Sequence, residues 1–299
     1  MEGNRSADIL DDRRHVPKMR LVSNKRLENK VVVIVGGTSG LGLSAAKACV
    51  AQGACVVVVG RDSAKCQAAV VELGERCRAV TGDAGSADTA EQAVHEAVTT
   101  FGDLHGLYHV AGGSGRARGD GPLHEVTDDG WSYTLNLNLD SLMYSNRAAT
   151  GKLLELGHGG SILNMSSVLA SSPSPRHFAT HAYAATKAAA IGLTKAAAAY
   201  YASKDIRFNA VAPALVDTPL AARAVGDDEI MEYIASKQPL DGGRVGVTQD
   251  LDDAVVFLLS DESRFVTGQV LAVDGGWSIT DGQYPVAQKD TAARKASES

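Results

Sequence analysis

The chain has 299 residues, with 29 Lys and Arg against 35 Asp and Glu, a formal charge of −6 and a pI near 5.8. It lacks the clustered basic charge that marks a nucleic-acid footprint and any apolar run near the roughly 18 residues of a membrane-spanning helix. The polar start, MEGNRSADILDDRRH, has no apolar stretch like that of a secretory signal. A cytoplasmic protein with no nucleic-acid or membrane partner is expected, and the length suits either two domains or one α/β domain of roughly 250 residues.

In chain order, residues 1–28 carry seven basic and five acidic side chains with no sustained apolar period, and read as a polar extension that pairs with a neighbouring subunit or with nothing. Strands are expected at Val31–Val35, Cys55–Val59, a third region ahead of Gly82, Leu107–Val110, Ser161–Met165, Ile206–Val211 and Val270–Val273. Helices are expected between them at Leu41–Gln52, Ala64–Leu73, Ala87–Phe101, Asp128–Leu156, His181–Ala202 and Asp250–Leu259. Residues 281–299 form a second polar tail. Short Val/Ile runs separated by helices predict a parallel sheet buried on both faces. Right-handed crossovers then give one doubly wound α/β domain over 29–280, with ligands beyond the carboxyl ends of the strands. Cys49, Cys55, Cys66 and Cys77 contain no C-x-x-C pair and no zinc-like spacing, and read as reduced thiols within helices and strands.

The first strand runs into Gly36-Gly37-Thr38-Ser39-Gly40-Leu41-Gly42. Glycines at 36, 40 and 42 allow a sharp turn and bring a pyrophosphate close to the next helix N-terminus. After the second strand comes Gly60-Arg61-Asp62. An acidic residue closing that strand would accept hydrogen bonds from the adenine ribose and favour NAD. Here Gly60 holds the position and Arg61 follows, which favours a 2′-phosphate and NADP, with NAD as the alternative. The competing role is a solvated Arg61 beside an Asp62 that caps the next helix. Asp83, followed by Ala84, is placed either on the adenine amino group or in a simple turn.

Tyr183 and Lys187 lie four apart at the start of an Ala-rich helix, hence on one face. A neighbouring ammonium favours the phenolate, so Lys187 is expected to lower the Tyr183 pKa and make it a usable acid and base. The strand ending in Ser166-Ser167 supplies a hydroxyl that can bond a substrate oxygen in the same crevice.

Taken together and in order, these landmarks resemble the short-chain dehydrogenase/reductase family over nearly all of residues 29–280. The Gly-rich turn, Asp83, Ala111-Gly112, Trp131 with Asn138, and Ser167 all match the family pattern. So do Tyr183 with Lys187, Asn209-Ala210-Val211-Ala212-Pro213, and Thr267-Gly268-Gln269 leading to Val273-Asp274-Gly275-Gly276. The resemblance implies a Rossmann-type fold and an NAD(P)-dependent exchange of hydride between a secondary alcohol and a ketone. It implies proton transfer by Tyr183, ribose binding by Lys187, carbonyl polarisation by Ser167, and a water held by Asn138. Pro213, Val216 and Thr218 would lie against the nicotinamide, and Ser166 stands in for Ser167 if the strand register slips by one. The resemblance also implies a homotetramer, with a dimer as alternative, built on the Asn138 and Tyr183 helices and on the Asp274–Ile279 region. A dinucleotide-binding regulator without chemistry, or an epimerase or dehydratase of the same fold, is the alternative function.

Several features depart from the family pattern. His109 and Val110 precede Ala111-Gly112, where His109 is expected to satisfy buried backbone groups. Pro213 is followed by Ala214 rather than Gly. The Ser167-to-Tyr183 interval is long, and the surplus in Ser171–Phe178 is expected to line or overhang the substrate pocket. Segment 214–245 would close over the substrate, with Ala221-Ala222-Arg223 and Ile230–Ile234 in substrate contact or in packing. His177 and His181 have helical spacing but no third ligand, so no metal is expected. Arg116 and Arg118 either attract an anionic substrate or sit in a solvated loop. The tripeptide Arg118-Gly119-Asp120 is given no adhesive role.

Overall fold

The computed structural model describes residues 25–283. Seven strands form one sheet: β1 Val31–Val35, β2 Cys55–Gly60, β3 Cys77–Thr81, β4 Gly106–His109, β5 Gly160–Met165, β6 Ile206–Pro213 and β7 Val270–Val273. The spatial order is β3-β2-β1-β4-β5-β6-β7, and every pairing is parallel. Helices α1 Gly40–Ala51, α2 Ser63–Leu73 and α3 Ala87–Phe101 connect the first four strands. The register sets Val33 opposite Val57 on one side and Leu107 on the other. Because strand side chains alternate between faces, the run 31–35 divides cleanly. Val32, Ile34, Val56 and Val58 enter one core with the buried face of α1 and with α9, Asp252–Leu259. Val31, Val33, Val35, Val57 and Val59 enter the other, against α3, α5 (Ser141–Leu156) and α6 (His181–Tyr201). Two-sided burial is why these strands are continuously apolar.

The expected helix over Asp128–Leu156 is interrupted. The chain forms α4 Asp128–Leu135, a π-helical turn Asn136–Asp140, and then α5. A π turn adds one residue to a single turn and slips the phase of the helix there, a local change too short to read from the periodicity of the flanking turns. Strand β4 lies one residue earlier than expected, leaving Val110 outside the ladder. All four cysteines are free.

Residues 25–28, assigned by composition to the polar extension, are part of the packed body. Leu27 is fully buried in the first core, and its amide donates to the Gln52 carbonyl at 2.9 Å. Arg26 bonds Asp253 and Glu262 at 3.2 and 2.8 Å, and Lys30 bonds Asp261 at 3.0 Å. The rest of the amino-terminal extension, with its proposed subunit contact, and all of the carboxyl-terminal tail past 283 lie outside the described residues.

Beyond β6 the chain builds a small cap from α7 Ala222–Val225 and α8 Asp228–Lys237, whose amino end is closed by the Asp227 carboxylate. Ile230, Ile234 and Ala224 pack there with Val168 and the fully buried Trp277 in a third core. This core sits beyond the carboxyl ends of β5 and β6. Among the described residues no helix is long and apolar enough to cross a membrane.

Candidate active site

A cavity of about 540 Å³ opens between the sheet's carboxyl edge and the cap. Leu41, Gly112, Ser167, Tyr183, Lys187 and Thr218 all face it, so the structure brings together residues from five separate segments singled out in the sequence. Ser166, Pro213 and Val216 line it as well. The Lys187 ammonium is buried, donates to the Met165 carbonyl at 3.1 Å, and stands 5.5 Å from the Tyr183 ring centre.

The two serines are distinguished by their partners. Ser166 Oγ donates to the Lys187 carbonyl at 2.9 Å and so ties α6 to β5. Ser167 Oγ accepts from the Leu169 amide at 3.2 Å and lies on the cavity with Tyr183. The extended backbone at Ser167 thus turns the second hydroxyl, not the first, into the cavity.

Electrostatics at this pair differ from expectation. Burial raises the Tyr183 pKa above the ordinary phenol range, and the Ser167 hydroxyl only partly offsets it. Burial also brings Lys187 down to about 8. The expected lowering of Tyr183 by its neighbour does not prevail, because desolvation of a phenolate outweighs an ammonium turned toward a backbone carbonyl. Tyr183 is a neutral hydroxyl at pH 7.

Tyr183 is fixed by a residue that sequence reasoning set aside. Asp120 is buried, and its carboxylate accepts from the Ala182 and Tyr183 amides at 2.9 and 3.0 Å. It caps α6 from a distant loop, since Thr180, at the local capping position, makes no cap bond. The cap acts through charge-assisted bonds at a helix N-terminus. No local pattern announces it, because donor and acceptor lie 62 residues apart.

Asn138 sits in the π turn and is fully buried. Its amide nitrogen donates to the Gly113 and Thr134 carbonyls, each at 2.9 Å, while its oxygen accepts from the Gly113 amide at 2.9 Å. The side chain therefore anchors the loop after β4, and its donors are spent. A Cβ at Gly112 would stand 2.6 Å from Asn138 Oδ1 and 3.2 Å from Lys187 Nζ, so glycine is required where loop, Asn138 and Lys187 meet. His109 lies between the Ser145 and Ser141 hydroxyls of α5 at 2.8 and 3.3 Å and also bonds the Ala111 main chain, so it serves side chains as well as the expected backbone. Burial holds it down to about 3, hence neutral.

The Gly-rich turn fits a dinucleotide. A Cβ on Gly42 would come within 2.0 Å of the Gly36 carbonyl oxygen, and one on Gly36, at φ +91°, within 2.7 Å of the Ala111 nitrogen. Ser39 occupies the α1 cap position without a side-chain bond, and the first turn holds no acidic residue, so no side chain of this turn caps its amides, which suit an anion. Gly40 lies beside Thr218, which brings the loop after β6 over this turn. Gly60 packs on Thr38, where an added Cβ would meet Oγ1 at 2.3 Å. Asp62 caps α2 through the Ala64 and Lys65 amides, as one reading required. Arg61 stays exposed with no ion pair among the described residues. Asp83 closes a turn by accepting from the Gly85 amide at 2.9 Å, and Ala84 packs against the second core.

The insertion before α6 contributes Phe178 to the cavity wall and holds Trp277, whose indole N–H donates to the Ser172 carbonyl at 3.1 Å. Ala221 and Arg223 face the cavity, whereas Ile230 and Ile234 are spent in packing. Arg116 also faces it, while Arg118 lies over the Tyr133 ring. His177 stacks against Tyr233, away from His181. The one described group with metal-like spacing, Asp103, His105 and His158, is at the opposite edge of the sheet. His105 Nδ1 accepts the Val31 amide there, so its remaining nitrogen carries the proton.

A protein-family model described as enoyl-(acyl carrier protein) reductase matches residues 35–278. The chain is 34% identical over 261 residues to 2-keto-3-deoxy-L-fuconate dehydrogenase of Xanthomonas campestris pv. campestris, covering 85% of this chain and 82% of that protein. It is 34% identical over 262 residues to L-rhamnose 1-dehydrogenase (NAD(P)(+)) of a Sphingomonas species, covering 85% and 98%. A solved short-chain type dehydrogenase/reductase from Mycobacterium ulcerans superposes with a TM-score of 0.78 at 35% identity, over 85% of this chain and 91% of that one. The family-model span contains β2 to β7 and every cavity residue described above; the chain belongs to the short-chain dehydrogenase/reductase family, and is an NAD(P)-dependent oxidoreductase acting on CH–OH groups.

Proposed function

We propose that this enzyme interconverts a secondary alcohol and its ketone, using Tyr183 as proton donor and acceptor, with NADP(H) preferred. The observation that carries the reading is one cavity shared by Ser167, Tyr183 and Lys187 with Leu41 of the Gly-rich turn. NAD(P), when bound, supplies or takes the hydride. In the reductive direction Ser167 Oγ and the neutral Tyr183 hydroxyl hold the carbonyl oxygen, and Tyr183 gives its proton as negative charge develops there. Lys187, with its ammonium at the Gly112 backbone, binds the nicotinamide ribose and stabilises the phenolate left behind. Gly36, Gly40 and Gly42 admit the pyrophosphate, with Thr38, Ser39 and Leu41 around it. Asp83 and Ala84 border the adenine, Ala111 and Gly112 the nicotinamide ribose, and Pro213, Val216 and Thr218 the nicotinamide. Asn138 serves by holding the Gly113 loop, and any water it binds must use its main chain. The catalytic domain is taken as 29–280, with residues 25–28 packed against it.

Two features favour NADP. Thr38 fills the space where an acidic side chain at 60 would reach a ribose diol, and Arg61 is free to meet a 2′-phosphate. Four free thiols favour a cytoplasmic setting. The homotetramer is supported by apolar side chains left exposed around β7, with Phe265 fully exposed and Ile279 at 90%. The test is NADPH oxidation with a panel of ketones. Turnover that disappears in Tyr183→Phe bears out the assignment, and equal activity in both proteins sinks it. Fluorescence titration with NADH and NADPH checks Arg61, and tighter NADH binding refutes that part.

A further inference from the structure

Two cations face the cavity without a carboxylate partner. Arg116 lies in the loop after β4 and Arg223 in α7 of the cap, 107 positions later. Neither forms an ion pair with a described residue, and Arg223 makes only a 3.5 Å contact to the His177 carbonyl. Nearby acids are engaged elsewhere: Asp120 caps α6, Asp227 caps α8, and Glu229 pairs with Arg176. The two segments meet, because a Cβ on Gly113 would stand 3.3 Å from Leu220, just ahead of α7. Val168, Leu169, Phe178 and Trp277 contribute apolar wall to the same cavity.

We infer that Arg116 and Arg223 form an anion subsite, so that the substrate is a secondary alcohol or ketone bearing a carboxylate, sulfonate or phosphate at the end remote from the reacting carbon. This deepens the reading proposed above and rests on it for the reacting group only. Like charges kept close on a partly desolvated wall destabilise the empty site, and an anion between them relieves both. Consistent with such crowding, burial first and Arg223 second hold the Arg116 guanidinium below its usual range, against a smaller opposing pull from Asp120. A guanidinium pair also suits the forked geometry of a carboxylate or phosphate better than a point charge does. The apolar share of the cavity wall suits a substrate whose anion and reacting carbon are joined by a short hydrocarbon spacer.

The experiment compares 3-hydroxybutyrate, 4-hydroxypentanoate and 5-hydroxyhexanoate with their neutral carboxamides. Binding to the protein saturated with reduced cofactor is read by calorimetry, where no turnover occurs, and oxidation is read separately with the oxidised cofactor. At one or more chain lengths the acid should bind about ten-fold or more tightly than its amide. Arg116→Gln and Arg223→Gln should each bring that ratio toward one while leaving amide binding and cofactor affinity unchanged. Ratios near one at every length overturn the subsite, as do variants that weaken acid and amide alike. Weaker cofactor binding with an intact acid preference also overturns it, by moving the arginines onto the cofactor. Acid-selective binding without oxidation of any compound would keep the subsite and sink the proposed reaction. Oxidation without acid preference does the reverse.

Discussion

At the amino ends of the strands, three long cations hold partners that tie the fold together. Arg26 bridges Asp253 and Glu262, Lys30 meets Asp261, and Arg207 bonds the Ser260 carbonyl and Ser263 hydroxyl. His158 meets Asp103 at 2.8 Å, and with burial opposing, that bond and both histidine charges keep the carboxyl below its usual range. The cations at the cavity differ. Lys187 is buried against a backbone carbonyl, and Arg116 and Arg223 face the cavity without an ion pair among the described residues. The ion pairs at the amino ends help close the fold, whereas the cations at the cavity are available to a ligand.

The contrast can be broken at either end. Tyr183→Phe should lower turnover about 10²- to 10⁴-fold with an unchanged urea midpoint; a shifted midpoint would mean the hydroxyl also holds the fold. Leu27→Ala should lose about 2–5 kcal/mol in urea unfolding, with activity at low denaturant intact. Lys187→Met probes the buried charge directly. The unfolded chain holds this proton up to about 10.5, whereas the folded protein releases it near 8, so wild-type stability rises with pH across that window. The stability advantage of the variant should therefore shrink by about 2 kcal/mol between pH 7 and pH 10, and an unchanged gap would contradict a buried ammonium. Asp120→Ala should cost about 1 kcal/mol by loss of the cap and lower kcat more than it raises KM, with Asp120→Asn intermediate in both. Smallest is Lys30→Gln, worth under about 1 kcal/mol in urea unfolding and reduced further by 0.5 M salt.

Legibility in the sequence followed how local each cause is. Val31–Val35 and Cys55–Gly60 announce themselves because burial on both faces leaves only apolar residues, and the Gly36–Gly42 turn because only glycine fits it. The Ser167, Tyr183 and Lys187 positions were readable since strand end and helix face fix them within a few residues. Leu27 was hidden as a lone apolar residue in a polar run. Asp120 was hidden because its partners are the amides of another helix, and the π turn because its phase slip is too local to read. The proximity of Arg116 to Arg223 depends on how the cap folds back, which no local spacing encodes. Ile230 and Ile234 show the converse: their helical spacing marks a buried face, and only the tertiary fold tells packing from substrate contact.

The contact between Gly60 and Thr38 constrains what mutation can do to this enzyme. An added Cβ at 60 meets the Thr38 side chain at 2.3 Å, so an aspartate introduced there alone would displace the turn it is meant to assist. Pairing Gly60→Asp with Thr38→Gly removes the clash. Neither step is useful without the other, which makes cofactor choice epistatic: a lineage would have to cross an impaired single variant, or change both codons together, to exchange one dinucleotide for the other.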